Sequence, residues 1–221
     1  MIEARTIATR THGRYLVDAR DATSGTLIGF HGYQEPAEAN LRALRRVVGE
    51  RPMRLASIQG LHRFYSRSNE VVASWMTRQD REVAIADNID YVAATNAAIA
   101  EEFGAIRPIF YVGFSQGAAM AYRAAAFVRQ PCDGLIILGG DLPPDVAAAA
   151  STLPTILVGR GSEDTWYSAS KAADDIALLR GAGVEVTEHV FEGGHGWAEG
   201  FVKGAARFID EHGSITNHRM T

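Results

Sequence analysis

Ser115 stands in Gly113-Phe114-Ser115-Gln116-Gly117, a G-x-S-x-G pentapeptide that follows the apolar run Pro108-Ile109-Phe110-Tyr111-Val112 and precedes an alanine-rich stretch from Gln116 to Arg129. Between a strand and a helix this pattern forces the serine into a sharp, exposed turn, the position of a nucleophile. A serine hydroxyl attacks only when a neighbouring base removes its proton, and the base needs a carboxylate to orient it. Of the seven histidines, His195 in Glu192-Gly193-Gly194-His195-Gly196-Trp197 is the best placed, because glycines flank it in the connection between the last strand and the last helix. His189 falls within a strand pattern, His212 and His218 within the final helix end and tail, and His12 near the N-terminus, so these read as structural or solvated.

The orienting acid is expected after a strand between Ser115 and His195, which leaves Asp141, Glu163 and Asp164. Asp164 closes Gly159-Arg160-Gly161-Ser162-Glu163-Asp164 and is favoured; Asp141 is second, since the two prolines that follow Leu142 suit a strand-ending turn. Acyl transfer also needs donors for the charge that develops on the carbonyl oxygen. The backbone N–H of Gln116, at a helix N-terminus, and that of Tyr33, in His31-Gly32-Tyr33, are the expected pair, with His31 shaping its loop.

Positioning these groups requires strands whose C-terminal ends share one rim. Strand-like runs at 26–30, 54–58, 108–112, 134–138, 154–158 and 184–190 alternate with helical patterns, which predicts an α/β fold with a mostly parallel sheet covered on both faces. Ala37, Leu41, Leu44 and Val48 mark one helical stripe behind Pro36. Ile85, Ile89, Val92, Asn96, Ile99 and Phe103 mark a second, opened by a Thr77-x-x-Asp80 capping box and closed by Gly104. Trp197, Phe201, Ala205 and Phe208 mark the last, and the tail from Gly213 reads as frayed. Within residues 1–25, segments 6–9 and 15–17 are read as short antiparallel edge strands. Segment 59–76 is irregular and, lying on the rim, is expected to line a pocket through Phe64, Tyr65, Trp75 and Met76. Trp166 and Tyr167, just past Asp164, complete an aromatic pocket.

With 221 residues, 47% of them hydrophobic, the chain is expected to fold as one domain over 1–221. A net charge of −4 gives no field to collect phosphate backbones, so no nucleic-acid partner is expected. The one cysteine, Cys132, rules out an internal disulfide and suits a reducing compartment, with cytoplasm as the default, and it reads as inert. No apolar run approaches the length of a membrane span, and neither His-x-x-x-His nor paired cysteines offer a metal site.

His31-Gly32, Gly113-Phe114-Ser115-Gln116-Gly117, Arg160-Gly161-Ser162-Glu163-Asp164 and Gly194-His195-Gly196 together resemble the phospholipase/carboxylesterase family of α/β-hydrolases, which includes acyl-protein thioesterase-like enzymes. The resemblance runs from about residue 25 to 210. It implies an α/β-hydrolase fold without a large cap, a Ser-Asp-His triad, and hydrolysis of an ester or thioester without metal or cofactor. Trp75 is similar to a tryptophan of the family's pocket region. His31-Gly32-Tyr33-Gln34-Glu35 lacks the Gly-Asp pair that commonly follows the histidine and glycine, and Arg160 stands where a histidine is frequent. Dienelactone hydrolases share the layout but are expected to carry cysteine where this chain has Ser115. The expected activity is cleavage of small-molecule carboxylic esters of small or medium acyl groups through an acyl-enzyme on Ser115. Thioesterase, lysophospholipase and amidase activities on the same triad are alternatives, as is a non-catalytic ligand-binding homologue.

Overall fold

Continuous apolar runs of strand length need cover on both faces, and the computed structural model, which describes residues 1–19 and 21–213, supplies it with a helix-flanked sheet. In chain order the elements are β1 (Arg14–Asp18), β2 (Thr26–Phe30), α1 (Ala37–Val48), β3 (Arg54–Gln59), β4 (His62–Tyr65), β5 (Val71–Ser74), α2 (Arg81–Phe103), β6 (Ile109–Phe114), α3 (Gln116–Phe127), β7 (Gly134–Leu138), α4 (Pro144–Ala147), β8 (Thr155–Gly161), α5 (Ala169–Gly181), β9 (Val186–Phe191) and α6 (Glu199–Gly213). The main sheet runs β1-β3-β2-β6-β7-β8-β9, parallel throughout except for β1, which pairs antiparallel with β3. This is the α/β-hydrolase architecture, and among the described residues no segment forms a large cap.

Neighbouring residues of each central strand feed opposite cores. Ile28, Tyr111, Leu135 and Ile137 pack with α2, α3 and α5 on one face, while Leu27, Phe110, Val112 and Ile136 pack with α1 and α6 on the other. The helical stripes read from the sequence are the buried sides: Leu41, Leu44 and Val48 of α1 and Phe201, Ala205 and Phe208 of α6 are all buried. Asn96 sits within the α2 stripe with its Nδ2 donating to the Tyr111 hydroxyl at 2.7 Å, so the buried amide nitrogen has a partner.

Strand order decides where the site lies. The chain steps from β2 outward to β3, then returns across β2 to β6 and continues the other way. The carboxyl ends of β2 and β6 therefore flank a topological switch point, where open α/β sheets bind ligands. Phe30 pairs with Gly113, so the loop after β2 opens beside the turn that carries Ser115.

Three local expectations are corrected. Residues 6–9 form no strand and are exposed, whereas 15–17 belong to β1 at the sheet edge. Segment 59–76 is not irregular, since β4 and β5 form an antiparallel hairpin with Phe64 opposite Val72. The Thr77-x-x-Asp80 capping box does not form. Asp80 adopts φ 49 and makes no side-chain cap, while Thr77 Oγ1 accepts the Gln79 N–H at 3.2 Å. The tail beyond Gly213, including His218, lies outside the described residues.

Candidate active site

Ser115 joins β6 to α3 at φ 53 and ψ −118, a conformation that costs a non-glycine residue about 1–3 kcal/mol and persists only where its surroundings enforce it. The enforcement is visible. The Ser115 N–H donates to the Leu138 carbonyl at 2.9 Å, and the Ser115 carbonyl accepts from the Ala118 N–H at 3.0 Å. Gly117 lets α3 close against the end of β2, for a Cβ there would fall 2.1 Å from the Phe30 carbonyl oxygen. The serine side chain is thus held at the N-terminus of α3, half-buried on the rim.

His195 Nε2 lies 2.9 Å from Ser115 Oγ, and His195 Nδ1 lies 2.7 Å from Asp164 Oδ2. A carboxylate accepts, so Nδ1 carries the proton and donates to Asp164, leaving Nε2 to accept the serine O–H. The Asp164 side chain is buried, and its Oδ1 accepts the backbone N–H groups of Trp166 and Tyr167, each at 2.9 Å. Both carboxylate oxygens are therefore committed and the imidazole is held by a fixed partner. The Asp and His loops are joined main chain to main chain, with the Ser162 N–H on the Phe191 carbonyl (2.8 Å) and the Glu163 N–H on that of Gly193 (2.9 Å). Only glycine fits at 161, where a Cβ would come within 2.2 Å of the Gly193 carbonyl oxygen. Asp141, in contrast, is exposed and lies 3.4 Å from Lys171 Nζ, while the Glu163 side chain faces solvent.

The loop after β2 is held by its own side chains. His31 is fully buried, and burial pulls its ring below the usual histidine range, which keeps it neutral. In that form Nδ1–H donates to the Gly32 carbonyl (2.7 Å) and Nε2 accepts the Gly60 N–H (2.9 Å). Trp75 stacks on His31 with ring centroids 5.2 Å apart and donates Nε1–H to the His31 carbonyl at 2.9 Å. The Gln116 side chain clamps the same region to the Ser115 turn: Oε1 accepts from the Trp75 N–H (2.9 Å) and Nε2 donates to the Met76 carbonyl (2.9 Å). In the stretch that lacks the Gly-Asp pair, Gln34 takes the left-handed conformation (φ 63) and Glu35 Oε2 accepts the Gly32 N–H at 2.7 Å. Burial pushes the Glu35 carboxyl up from its ordinary range, opposed by the hydrogen bond from the Gly32 N–H.

A cleft of about 490 Å³ opens over Ser115, Gln116 and His195, bounded by the 139–144 loop and by Arg81, Trp166 and Lys171. Asp175 holds one wall, accepting the Leu142 N–H at 3.0 Å and the Tyr167 hydroxyl at 3.1 Å. Of the six residues expected to surround the pocket, Trp166 lines this cleft, with 76% of its surface exposed. Trp75 and Tyr167 are fully buried and Met76 nearly so, which makes them supports of the loops around the cleft. Phe64 and the exposed Tyr65 belong to the hairpin, where Phe64 meets Tyr33 at 5.9 Å between ring centroids.

Two contributors escaped sequence reasoning. Glu35 was legible only as the one acidic residue of the altered His31–Glu35 motif, and the hairpin signal was the Ser66-Arg67-Ser68-Asn69-Glu70 stretch between Phe64-Tyr65 and Val71-Val72. Asn69 provides the left-handed residue of that turn (φ 63).

Solved structures with the same architecture include esterase PE8 (20% identity, 90% of this chain and 98% of that one, TM-score 0.72), the Bacillus cereus carboxylesterase (19% identity, 90% and 94%, TM-score 0.74) and Zea mays acyl-protein thioesterase 2 (16% identity, 92% and 100%, TM-score 0.72). At these identities the likeness establishes the fold. No curated protein sequence matches the chain. Among the described residues no helix is long and apolar enough to cross a membrane. The phospholipase/carboxylesterase family model matches residues 15–213, and the chain belongs to that family of ester and thioester hydrolases.

Proposed function

We propose that the chain is a serine carboxylesterase that forms an acyl-enzyme on Ser115 with His195 as base, Asp164 as orienting acid, and the N–H groups of Gln116 and Tyr33 as the oxyanion site. The observation that carries this is the hydrogen-bonded series Asp164–His195–Ser115, at 2.7 and 2.9 Å, ending on a serine held at a positive φ. As Ser115 Oγ attacks the ester carbonyl, its proton passes to His195 Nε2, and the imidazolium that forms is stabilised by Asp164. The carbonyl oxygen gains negative charge and is met by donors that need no reorganisation. His195 then protonates the leaving alcohol. Water repeats the sequence in the opposite direction, giving the acid and free enzyme.

Acyl groups of small or medium size suit the cleft. It is open, and Leu142, Pro143, Pro144 and Trp166 give it an apolar part that is bordered by Arg81, Asp141, Lys171, Asp174 and Asp175, so a long alkyl chain would run past the apolar contacts into charged groups. Thioesters fit the same donors and base, and the leaving group decides between them. Steady-state rates on p-nitrophenyl acetate, butyrate, octanoate and palmitate, with the matching thioesters, test this assignment. The expected kcat/KM on acetate or butyrate exceeds that on palmitate by at least about tenfold, the discrimination that one or two mismatched methylene contacts already give. A rate that climbs steadily to palmitate would contradict it.

A further inference from the structure

We propose that Glu35 is a positioning residue for the oxyanion site: its carboxylate anchors the Gly32 N–H and so presents the next donor along the chain, the Tyr33 N–H, to the carbonyl oxygen over Ser115. This rests on the serine-hydrolase assignment above.

The loop after β2 has several polar backbone groups within a short stretch, and three of them are engaged by side chains. The His31 carbonyl accepts from Trp75 Nε1, the Gly32 carbonyl from His31 Nδ1, and the Gly32 N–H is taken by Glu35 Oε2 at 2.7 Å. Among the described residues the Tyr33 N–H has no protein acceptor, which leaves it free to meet a ligand. Of these ties, the bond from Glu35 is the charge-assisted one, roughly twice as strong as a neutral hydrogen bond.

Glu35 is itself fixed from its main chain. The Ala73 N–H of β5 donates to the Glu35 carbonyl at 3.3 Å, and the Gln34 N–H donates to the Ala73 carbonyl at 3.1 Å. Gln34 takes φ 63 between them, a left-handed conformation unusual for a residue with a Cβ, which turns the Glu35 side chain back under the loop. A strained residue next to an enclosed carboxylate marks a conformation maintained for a purpose beyond the turn. The location is the right one: Gly32 packs on Phe114, whose ring centre is 5.0 Å from that of His195, and a Cβ at Gly117 would touch the His31 carbonyl oxygen. Released from the Glu35 carboxylate, the 31–32 peptide can rotate about Gly32 and tilt the following peptide, with its Tyr33 N–H, away from the carbonyl oxygen while the triad remains assembled.

The test compares Glu35→Ala with Glu35→Gln, which keeps an oxygen acceptor of nearly the same reach. For p-nitrophenyl acetate, Glu35→Ala is expected to lower kcat by about 10²-fold with KM within about twofold, the mark of a donor lost in the transition state. Glu35→Gln should recover kcat to within about tenfold of the parent, since a neutral acceptor replaces a charged one. An active parent together with an unaltered kcat in Glu35→Ala overturns the proposal, as does a Glu35→Gln variant as slow as Glu35→Ala. Should Glu35→Ala fail to fold, Glu35→Met against Glu35→Gln makes the same comparison with the side-chain volume retained. A parent protein that neither cleaves ester nor takes a fluorophosphonate on Ser115 overturns the hydrolase assignment and this proposal together.

Discussion

Replacing Ser115 by alanine is expected to lower kcat for ester hydrolysis by about 10⁶-fold while leaving the thermal transition in place. The reason for the size is cooperative. On the proposed mechanism Ser115 Oγ is the attacking atom, and without it His195 has no proton to accept and Asp164 no imidazolium to stabilise. Removal of His195 should therefore cost about as much as removal of Ser115, and the double variant little more, because groups that act as a unit do not add. Stability is spared because alanine keeps the backbone bonds that hold the turn, from the Ser115 N–H to Leu138 and from Ala118 to the Ser115 carbonyl. Steady-state kinetics on p-nitrophenyl acetate beside a melting curve measure both quantities.

The second large effect is expected at Asp164, where asparagine should reduce kcat by about 10⁴-fold through the proton it places on the wrong nitrogen. Asp164 Oδ1 is held by two backbone N–H groups, at 2.9 Å each, so an asparagine keeps its carbonyl oxygen there. Its amide nitrogen then faces His195 Nδ1 at the position of Oδ2 and donates, which leaves the imidazole proton on Nε2. In that tautomer the ring cannot accept the Ser115 proton. Glu163→Gln, one residue away with its side chain in solvent, should leave kcat unchanged, and the contrast between these neighbours separates orientation of the base from general loop damage.

The parts of this site that were legible in the sequence are those fixed by local geometry or chain order. A glycine-flanked serine after an apolar strand identifies the Ser115 turn without knowledge of anything distant. His195 and Asp164 follow from where a strand ends, since every parallel strand delivers its C-terminal loop to the same rim. The 31–33 loop follows from topology once β2 and β6 are neighbours. What could not be read depends on conformations that residue type does not announce. Asp80 in a left-handed conformation cancels a capping box that its spacing suggests, and Gln34 in the same region brings Glu35 to the loop although neither is a glycine. Aromatic residues near the rim were ambiguous for a different reason. Trp75 and Tyr167 are as apolar as a pocket wall, and only the tertiary contacts show that they are buried behind it, whereas Trp166 is open to the cleft. The β4–β5 hairpin escaped because each strand is four residues long and its pairing to Glu35 through Ala73 is non-local.

The central claim is that Ser115 is a nucleophile activated by His195, and a fluorophosphonate reports it directly, because the probe reacts with an activated serine and leaves an adduct that peptide mass mapping can place. One adduct, on Ser115, is expected in the folded protein, and its loss in both Ser115→Ala and His195→Ala. Folded protein that leaves Ser115 unmodified, or that labels equally well without His195, would contradict it.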